Sequence, residues 1–264
     1  MIFGAIIGDI VGSRYEFMPI KSKEFELFTW GCRFTDDTVM TVAVAEALLT
    51  DRDFAGKMRQ WGRRYPNAGY GGRFAAWLLD ENPEPYGSWG NGSAMRVSPC
   101  GMFARSMEEA LALAKASAEV THDHPEGIRG AQAVAAAVYL AKSGAGREEI
   151  RDYIEENFYP LDKNLAQIRP GYRFDVSCQG SVPQAIQAFL ESTDFEDAIR
   201  NAVSLGGDSD TIAAITGSIA WMYYKRRYGI TAEMRGIRYQ AAEYLPREML
   251  RIAQQFAASI DMGK

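Results

Sequence analysis

The sequence has few of the residues that build disulfide, zinc or histidine chemistry. It contains only three cysteines and two histidines in 264 residues. Cys32, Cys100 and Cys178 are odd in number and far apart, which argues against a disulfide framework and against a cysteine zinc site. Such free thiols are typical of a reducing compartment, so we expect a cytoplasmic protein. His122 and His124 stand two residues apart in a turn, where side chains rarely converge on one ion.

The chain also lacks the patterns of nucleic-acid-binding and membrane proteins. Its net charge is −5 and it has no basic run, so a nucleic-acid partner is not expected. No apolar stretch reaches the roughly 18 residues of a membrane span. The apolar start at residues 1–7 has no basic region and is soon followed by Asp9, which argues against a signal peptide. An anionic ligand is still compatible with this balance, because a local pocket can differ in charge from the whole surface.

Apolar residues at helical spacing are abundant. Hydrophobic residues make up 47% of the chain, enough for a substantial core. No segment shows the sustained period-two alternation of a strand, whereas helical patterns fill most of the length. We therefore predict one all-α domain over residues 1–264. The longest irregular stretch is 159–182, and Tyr172, Phe174 and Asp175 within it are candidates for lining a pocket, since long loops are often functional.

The first predicted helix, residues 1–15, carries glycine at a regular interval. Gly4, Gly8 and Gly12 share one ridge of that helix. Each lowers helix stability by about 1 kcal/mol relative to alanine, so three on one ridge indicate close approach by another backbone or a ligand. Asp9 lies in the same helix, and we interpret it as a structural hydrogen-bonding residue. Glu16, where the helix should end, is better placed for a role in a site.

Two clusters of carboxylates and hydroxyls stand at predicted helix starts. They are Thr35-Asp36-Asp37-Thr38 and Gly206-Gly207-Asp208-Ser209-Asp210-Thr211, and each leads into an apolar run. Capping a helix needs one such residue rather than three or four. Neighbouring carboxylates repel each other unless a cation compensates, and Mg²⁺ takes oxygen ligands of this type. Capping would explain either cluster alone, but the two together indicate a shared metal site.

The second cluster has a competing interpretation. Residues 208–211 superficially resemble the Asp-x-Asp motif of haloacid-dehalogenase-like phosphohydrolases. That motif should end a buried β-strand, whereas residues 201–205 before it are helical in pattern. The sequence therefore disfavours this alternative.

A further group of motifs suits an anion. Residues 81–92 form a loop rich in glycine and proline that runs into Ser93-Ala94-Met95-Arg96. Such a loop presents backbone N–H groups to phosphate, and Arg96 could add a charge. The P-loop pattern is missing, so an ordinary turn is an equal alternative. In the turn 121–125, capping or ligand contact suits the two histidines better than zinc.

These motifs together resemble the ADP-ribosylglycohydrolase family. The matching stretches are Gly8 to Gly12 with Glu16-Phe17, Thr35 to Thr38, Gly90 to Arg96 and Gly207 to Thr211, and the turn Thr121 to Pro125 is similar as well. The resemblance runs from about residue 2 to residue 228. It implies an all-α fold, a pair of Mg²⁺ or Mn²⁺ ions, and hydrolysis of an N- or O-glycosidic bond to ADP-ribose.

The resemblance also implies roles for individual residues. The implied metal ligands are Glu16, Thr35, Asp36, Asp37, Asp208, Asp210 and Thr211, with Asp210 as the bridging carboxylate. The implied ADP-ribose contacts are Gly90, Asn91, Gly92, Ser93, Met95, His122 and Tyr172. Within that set, residues 90–93 would take the diphosphate and His122 the ribose or adenine side. Either Glu16 or Asp37 would accept the proton of the attacking water, and the sequence does not choose between them.

The expected substrate is an ADP-ribosylated protein side chain such as arginine, hydrolysed by a monomer. Two alternatives stay open. The protein could act on a small or O-linked ADP-ribose conjugate instead. It could also bind ADP-ribose without catalysis, since the family resembles a lens crystallin too, although the presence of every expected metal ligand argues against that.

Overall fold

All regular secondary structure in this computed structural model is helical over residues 2–262, the part of the chain that it describes. The helices are α1 (Phe3–Gly12), α2 (Asp36–Leu49), α3 (Phe54–Arg64), α4 (Gly72–Leu79), α5 (Gly92–Met95), α6 (Ser98–Phe103), α7 (Met107–Glu119), α8 (Pro125–Ser143), α9 (Arg147–Asn157), α10 (Leu165–Ile168), α11 (Cys178–Leu190), α12 (Phe195–Val203), α13 (Ser209–Tyr228), α14 (Ala232–Ala242) and α15 (Arg247–Met262). The strand-like pairing in this range is an isolated bridge between Gly90 and Ser177. The all-α prediction is confirmed. Asp208 follows a helix rather than a strand, which excludes the dehalogenase-like interpretation.

Helix α13 lies at the centre of the packing. Its residues from Ser209 to Tyr224 are all buried, and it packs against α1, α8, α11 and α12. A helix that is buried all round needs neighbours on every side. Because α13 begins within the second acidic cluster, the core of the protein holds that cluster in place. None of the helices in the described part of the chain has the length and hydropathy of a membrane span.

The glycine ridge of α1 lies almost in backbone contact with α13. A Cβ atom built on Gly8 would lie 2.0 Å from the carbonyl oxygen of Ala213, and one on Gly4 would lie 2.2 Å from that of Gly217. The predicted close approach of another backbone is therefore confirmed. The contact fixes the end of α1 beside the start of α13, where Glu16 and the second cluster meet.

We expect Gly8→Ala to lower the free energy of unfolding by about 3 kcal/mol, because the added methyl group overpacks the contact between α1 and α13. Gly236→Ala is the matched control. Gly236 is also helical, but apart from its two chain neighbours and its own helical backbone no atom of the described residues lies within 4 Å of a Cβ built there. Alanine there should stabilise the protein by about 0.5–1 kcal/mol through helix propensity. Urea unfolding measures both variants, and equal effects would contradict the explanation.

Several element boundaries differ from the sequence-based expectations. Helix α1 ends at Gly12, so Glu16 lies in the turn that follows rather than on the helix. Helix α11 begins at Cys178, within the stretch expected to be irregular, because the Ser177 side chain caps it. Helix α10 interrupts the stretch expected to be irregular.

Candidate active site

The two acidic clusters meet where α2 and α13 begin. Carboxylate oxygens of Glu16, Asp208 and Asp210 lie within 4.8 Å of one another. The hydroxyl of Thr211 donates a hydrogen bond to Oδ2 of Asp37 at 3.3 Å, which links the second cluster to the first. Three separate parts of the chain therefore contribute oxygen atoms to one centre.

Two glycines deliver the chain to the second cluster. Gly206 and Gly207 have φ angles of 71° and 78°, a left-handed conformation that glycine adopts without steric cost. A Cβ atom on Gly207 would also lie 2.8 Å from the Tyr172 ring. Glycine is therefore required there, both for the turn and for the close packing that places Asp208.

Asp9 anchors the first cluster from the protein interior. Its Oδ2 accepts hydrogen bonds from the backbone N–H groups of Thr35 at 2.9 Å and Thr38 at 3.0 Å. Its Oδ1 accepts one from the Thr35 hydroxyl at 2.7 Å. These contacts satisfy free N–H groups at the start of α2. Asp9 thus has the structural role expected of it, because both of its oxygens are engaged within the protein.

We expect Asp9→Ala to lower the free energy of unfolding by about 3 kcal/mol, because two buried N–H groups and a hydroxyl would lose their acceptor. Asp9→Asn should be much better tolerated. Its amide oxygen can accept both N–H groups, and its NH₂ group can donate to the Thr35 hydroxyl. Urea unfolding compares the two variants, and equal losses of stability would contradict the assigned role of Asp9.

The carboxylates of the centre repel one another. None of the ion pairs formed within the described residues involves any of them. Burial raises the pKa of both Asp9 and Glu16 to about 7, and the charge of Asp210 adds to each rise. Burial and the Asp210 charge likewise hold three further carboxyl pKa values well above the usual range, those of Asp36, Asp37 and Asp208. A bound cation would relieve this repulsion.

The available atoms fit a hard divalent cation. Asp37 Oδ1 is buried and accepts no hydrogen bond within the described residues, so an acceptor is left open at the centre. Carboxylate and hydroxyl oxygens are the ligands that Mg²⁺ and Mn²⁺ prefer, whereas soft sulfur or imidazole ligands are not part of this set.

A cavity of about 490 Å³ adjoins the carboxylates, a size typical of small-molecule sites. The predicted site residues that line it are Glu16, Asp36, Asp37, Gly90, Asn91, Gly92, Met95, His122, Asp208, Asp210 and Thr211. Among the described residues, the predicted Thr35, Ser93 and Tyr172 do not line it.

Those three residues support the walls of the cavity. The Thr35 hydroxyl is bound to Asp9, as described above. The Ser93 hydroxyl donates to the carbonyl of Gly127 at 2.6 Å, which ties α5 to α8. The Tyr172 hydroxyl donates to the carbonyl of Gly180 at 2.6 Å. Phe174, from the same loop as Tyr172, does line the cavity.

The glycine-rich loop has fewer free N–H groups than its sequence suggests. The N–H of Gly90 donates to the Ser88 hydroxyl at 3.2 Å, and that of Asn91 donates to the Val176 carbonyl at 2.7 Å. The side chain of Asn91 donates to Oδ2 of Asp208 at 2.7 Å. Asn91 therefore connects the loop to the acidic centre.

Two arginines bring positive charge to the cavity. Arg96, which the sequence suggested, lines it from a fully buried position. Arg73 is exposed and also lines it, with its guanidinium 4.7 Å from the ring centre of Tyr86. Sequence reasoning missed Arg73 and Tyr86. A signal for Arg73 existed, since it directly follows Gly71-Gly72, an arrangement that suits anions.

The protein is an all-helical domain, and its carboxylates converge on a cavity that also contains arginines. These features define a class of protein with an acidic site that suits a cation and an anionic ligand. Comparison with known proteins makes this specific. The sequence model of the ADP-ribosylglycohydrolase family matches residues 1–260. The chain therefore belongs to that family, which is a family of hydrolases.

Individual relatives agree with this assignment. The chain is 28% identical over 257 residues to the ADP-ribosylarginine hydrolase Tri1 of Pseudomonas putida (strain GB-1), an alignment that covers 84% of this chain and 69% of that protein. It is 28% identical over 306 residues to the ADP-ribosylhydrolase ARH3 of Homo sapiens, covering 84% and 83%. Among solved structures it is similar to an ADP-ribosylglycohydrolase-related protein complex, with a TM-score of 0.66, 23% identity, and 92% and 95% of the two chains covered.

Proposed function

We propose that the protein uses two Mg²⁺ or Mn²⁺ ions to hydrolyse the glycosidic bond between ADP-ribose and a modified protein side chain, with arginine as the preferred acceptor. The main support is the convergence of two acidic clusters on a cavity that also contains two arginines. The similarity to a relative named for ADP-ribosylarginine supports the choice of acceptor.

The ions would be held by oxygen atoms of Glu16, Thr35, Asp36, Asp37, Asp208, Asp210 and Thr211. When bound, they would orient the ribose hydroxyls and lower the pKa of a water molecule. Asp210 is our candidate for the bridging ligand, because its charge acts on the carboxylates of both clusters.

Glu16 is our candidate for the base that accepts the proton of the attacking water. It lines the cavity and is only half-buried. Within the described residues no hydrogen bond engages its carboxylate, whereas Asp37 is buried and already accepts from Thr211. A base must reach the proton it removes, and Glu16 has the more accessible carboxylate.

The remaining groups would bind the substrate. Cleavage of the bond develops positive charge on the ribose ring, which the surrounding carboxylates would stabilise. Arg73 and Arg96 would balance the negative charge of the diphosphate. A protein with a net negative charge can bind ADP-ribose in this way, because the cavity would offer arginines to the diphosphate and carboxylates to the ribose.

A substrate panel tests the proposal. The protein is incubated with arginine-ADP-ribosylated protein, serine-ADP-ribosylated peptide and an O-linked small conjugate, each with Mg²⁺, Mn²⁺ or a chelator, and mass spectrometry follows free ADP-ribose. We expect fastest release from arginine, loss of release with the chelator, and recovery when metal is restored. Release from the O-linked substrates alone would favour the alternative in which the protein acts on small or O-linked ADP-ribose conjugates. Tight ADP-ribose binding by calorimetry, with no release from any substrate, would favour the alternative in which the protein binds ADP-ribose without catalysis.

A further inference from the structure

A short chain of hydrogen bonds runs through the protein interior to the wall of the cavity. Nη2 of Arg96 donates to the Thr121 hydroxyl at 2.9 Å, and that hydroxyl lies 2.7 Å from Nδ1 of His122. All three side chains are buried. At the end of this series of hydrogen bonds, the His122 ring faces the cavity beside the glycine-rich loop.

The direction of these hydrogen bonds follows from the chemistry of the groups. A guanidinium can only donate, so the Thr121 oxygen must accept from Arg96. The hydroxyl proton of Thr121 is then available to His122, and within the described residues this hydroxyl forms no other hydrogen bond. A protonated Nδ1 could donate to the second lone pair of the Thr121 oxygen, but the buried hydroxyl proton would then have no acceptor among the described residues. The arrangement that satisfies both groups has Nδ1 accepting from Thr121, so the ring proton of a neutral His122 is on Nε2.

The surroundings of His122 keep the imidazole neutral. Burial lowers its pKa well below the usual value, and the charges of Arg96 and Arg73 lower it further. The ring of Tyr86 also lies near His122, with the two ring centres 6.0 Å apart. One ring proton is therefore present, and the hydrogen bond from Thr121 decides which nitrogen carries it.

Nε2 lies against the inner side of the glycine-rich loop. A Cβ atom built on Gly92 would lie 3.1 Å from it, and one on Gly90 would lie 3.7 Å away. The glycines thus leave this nitrogen uncovered. An oxygen atom of a ligand seated beside the loop would meet an N–H group there.

We propose that Arg96 and Thr121 are positioning residues that fix His122 as the Nε2–H tautomer, which makes His122 a hydrogen-bond donor to a phosphate or ribose oxygen of the substrate. The identity of that substrate rests on the proposed function. The tautomer does not, since it follows from the hydrogen bonds of the free protein.

Nuclear magnetic resonance tests the tautomer directly. The chain has only two histidines, and His124→Asn removes the other one while keeping a side chain able to cap α8 in its place. Long-range ¹H–¹⁵N correlations in this background then report on His122 alone. We expect a protonated Nε2 and a bare Nδ1. In the same background Thr121→Val should give a mixture of tautomers, and Thr121→Ser should restore the single form.

A bare Nε2 in the parent protein would overturn the proposal, and that result needs no further variant to fold. So would a Thr121→Val protein that folds and keeps the Nε2–H form alone, because the hydroxyl would then not be what fixes the ring.

Calorimetry with ADP-ribose tests the consequence for binding. We expect Thr121→Val to weaken the affinity about tenfold, the size of one hydrogen bond, and Thr121→Ser to bind like the wild type. Thr216→Val is the matched control, since Thr216 is also buried but donates to the Ala185 carbonyl at 2.8 Å and does not line the cavity. It should leave the affinity unchanged.

The two experiments separate failure of this inference from failure of the proposed function. If the wild type binds no ADP-ribose, the proposed function fails, and the resonance data still decide the tautomer. If the tautomer is as expected but Thr121→Val binds ADP-ribose as well as the wild type does, His122 is not the donor and the inference is overturned.

Discussion

Asp210→Asn is expected to lower kcat for release of ADP-ribose by about a thousandfold or more. The Asp210 carboxylate lies beside those of Glu16 and Asp208, and its charge adds to the rise that burial causes in the pKa values of carboxyl groups in both clusters. An amide keeps the shape of the side chain but removes the negative charge that acts on the carboxylates of both clusters. Steady-state release of ADP-ribose at saturating Mg²⁺ or Mn²⁺ measures the effect.

Stability measurements show whether this loss is a loss of function rather than of folding. In chelator, Asp210→Asn should be at least as stable as the wild type, because one of the mutually repelling buried charges is gone. Asp152→Asn, an exposed carboxylate on α9, should leave kcat unchanged. Near-wild-type turnover by Asp210→Asn would contradict the central place given to Asp210.

The sequence predicted those features whose physical cause is local. Gly4, Gly8 and Gly12 weaken any helix that contains them, so their spacing alone indicated a close neighbour, and α13 is that neighbour. The oxygen-rich starts of α2 and α13 exceed what capping requires, so their convergence could be expected. In both cases the sequence contained a locally unfavourable feature, glycines in a helix or neighbouring carboxylates. Each feature indicated a compensating contact elsewhere in the fold.

Features that depend on distant contacts were not predictable in the same way. The sequence predicted a structural role for Asp9 but not its partners, which are N–H groups at the start of α2, 26 and 29 residues further along the chain. The N–H groups of Gly90 and Asn91 are engaged by Ser88 and Val176. Only folding brings Val176 to that loop, so the sequence overstated how many free donors the loop offers.

Two large apolar side chains lie at the edge of the cavity. Phe174 is 50% exposed and Phe17 is 75% exposed, and both line the cavity. Large exposed apolar side chains at the edge of a site are suited to contact a partner surface. Under the proposed function these two side chains would contact the acceptor, and we propose that they help to distinguish one acceptor from another.

The metal-free protein is expected to lose stability as the pH rises from about 4 to about 7. Asp9 and Glu16 have pKa values raised from 3.8 and 4.5 to about 7. The folded protein therefore binds more protons than the unfolded chain between these limits, and its stability must fall as the pH rises through them. For the fully buried Asp9, a pKa raised from 3.8 to about 7 corresponds to about 4 kcal/mol. Thermal unfolding in chelator across this range measures the loss.

Saturating Mg²⁺ should reverse this trend, because a cation binds the ionised carboxylates and stabilises the folded protein more as they lose protons. Asp210→Asn in chelator should show a shallower loss than the wild type, since burial still raises the other carboxyl pKa values but the added effect of the Asp210 charge is gone. A wild-type stability in chelator that is constant or rises between these pH values would contradict the raised pKa values of Asp9 and Glu16. The same carboxylates would then have no need of a cation, and the argument for a metal centre would lose its electrostatic basis.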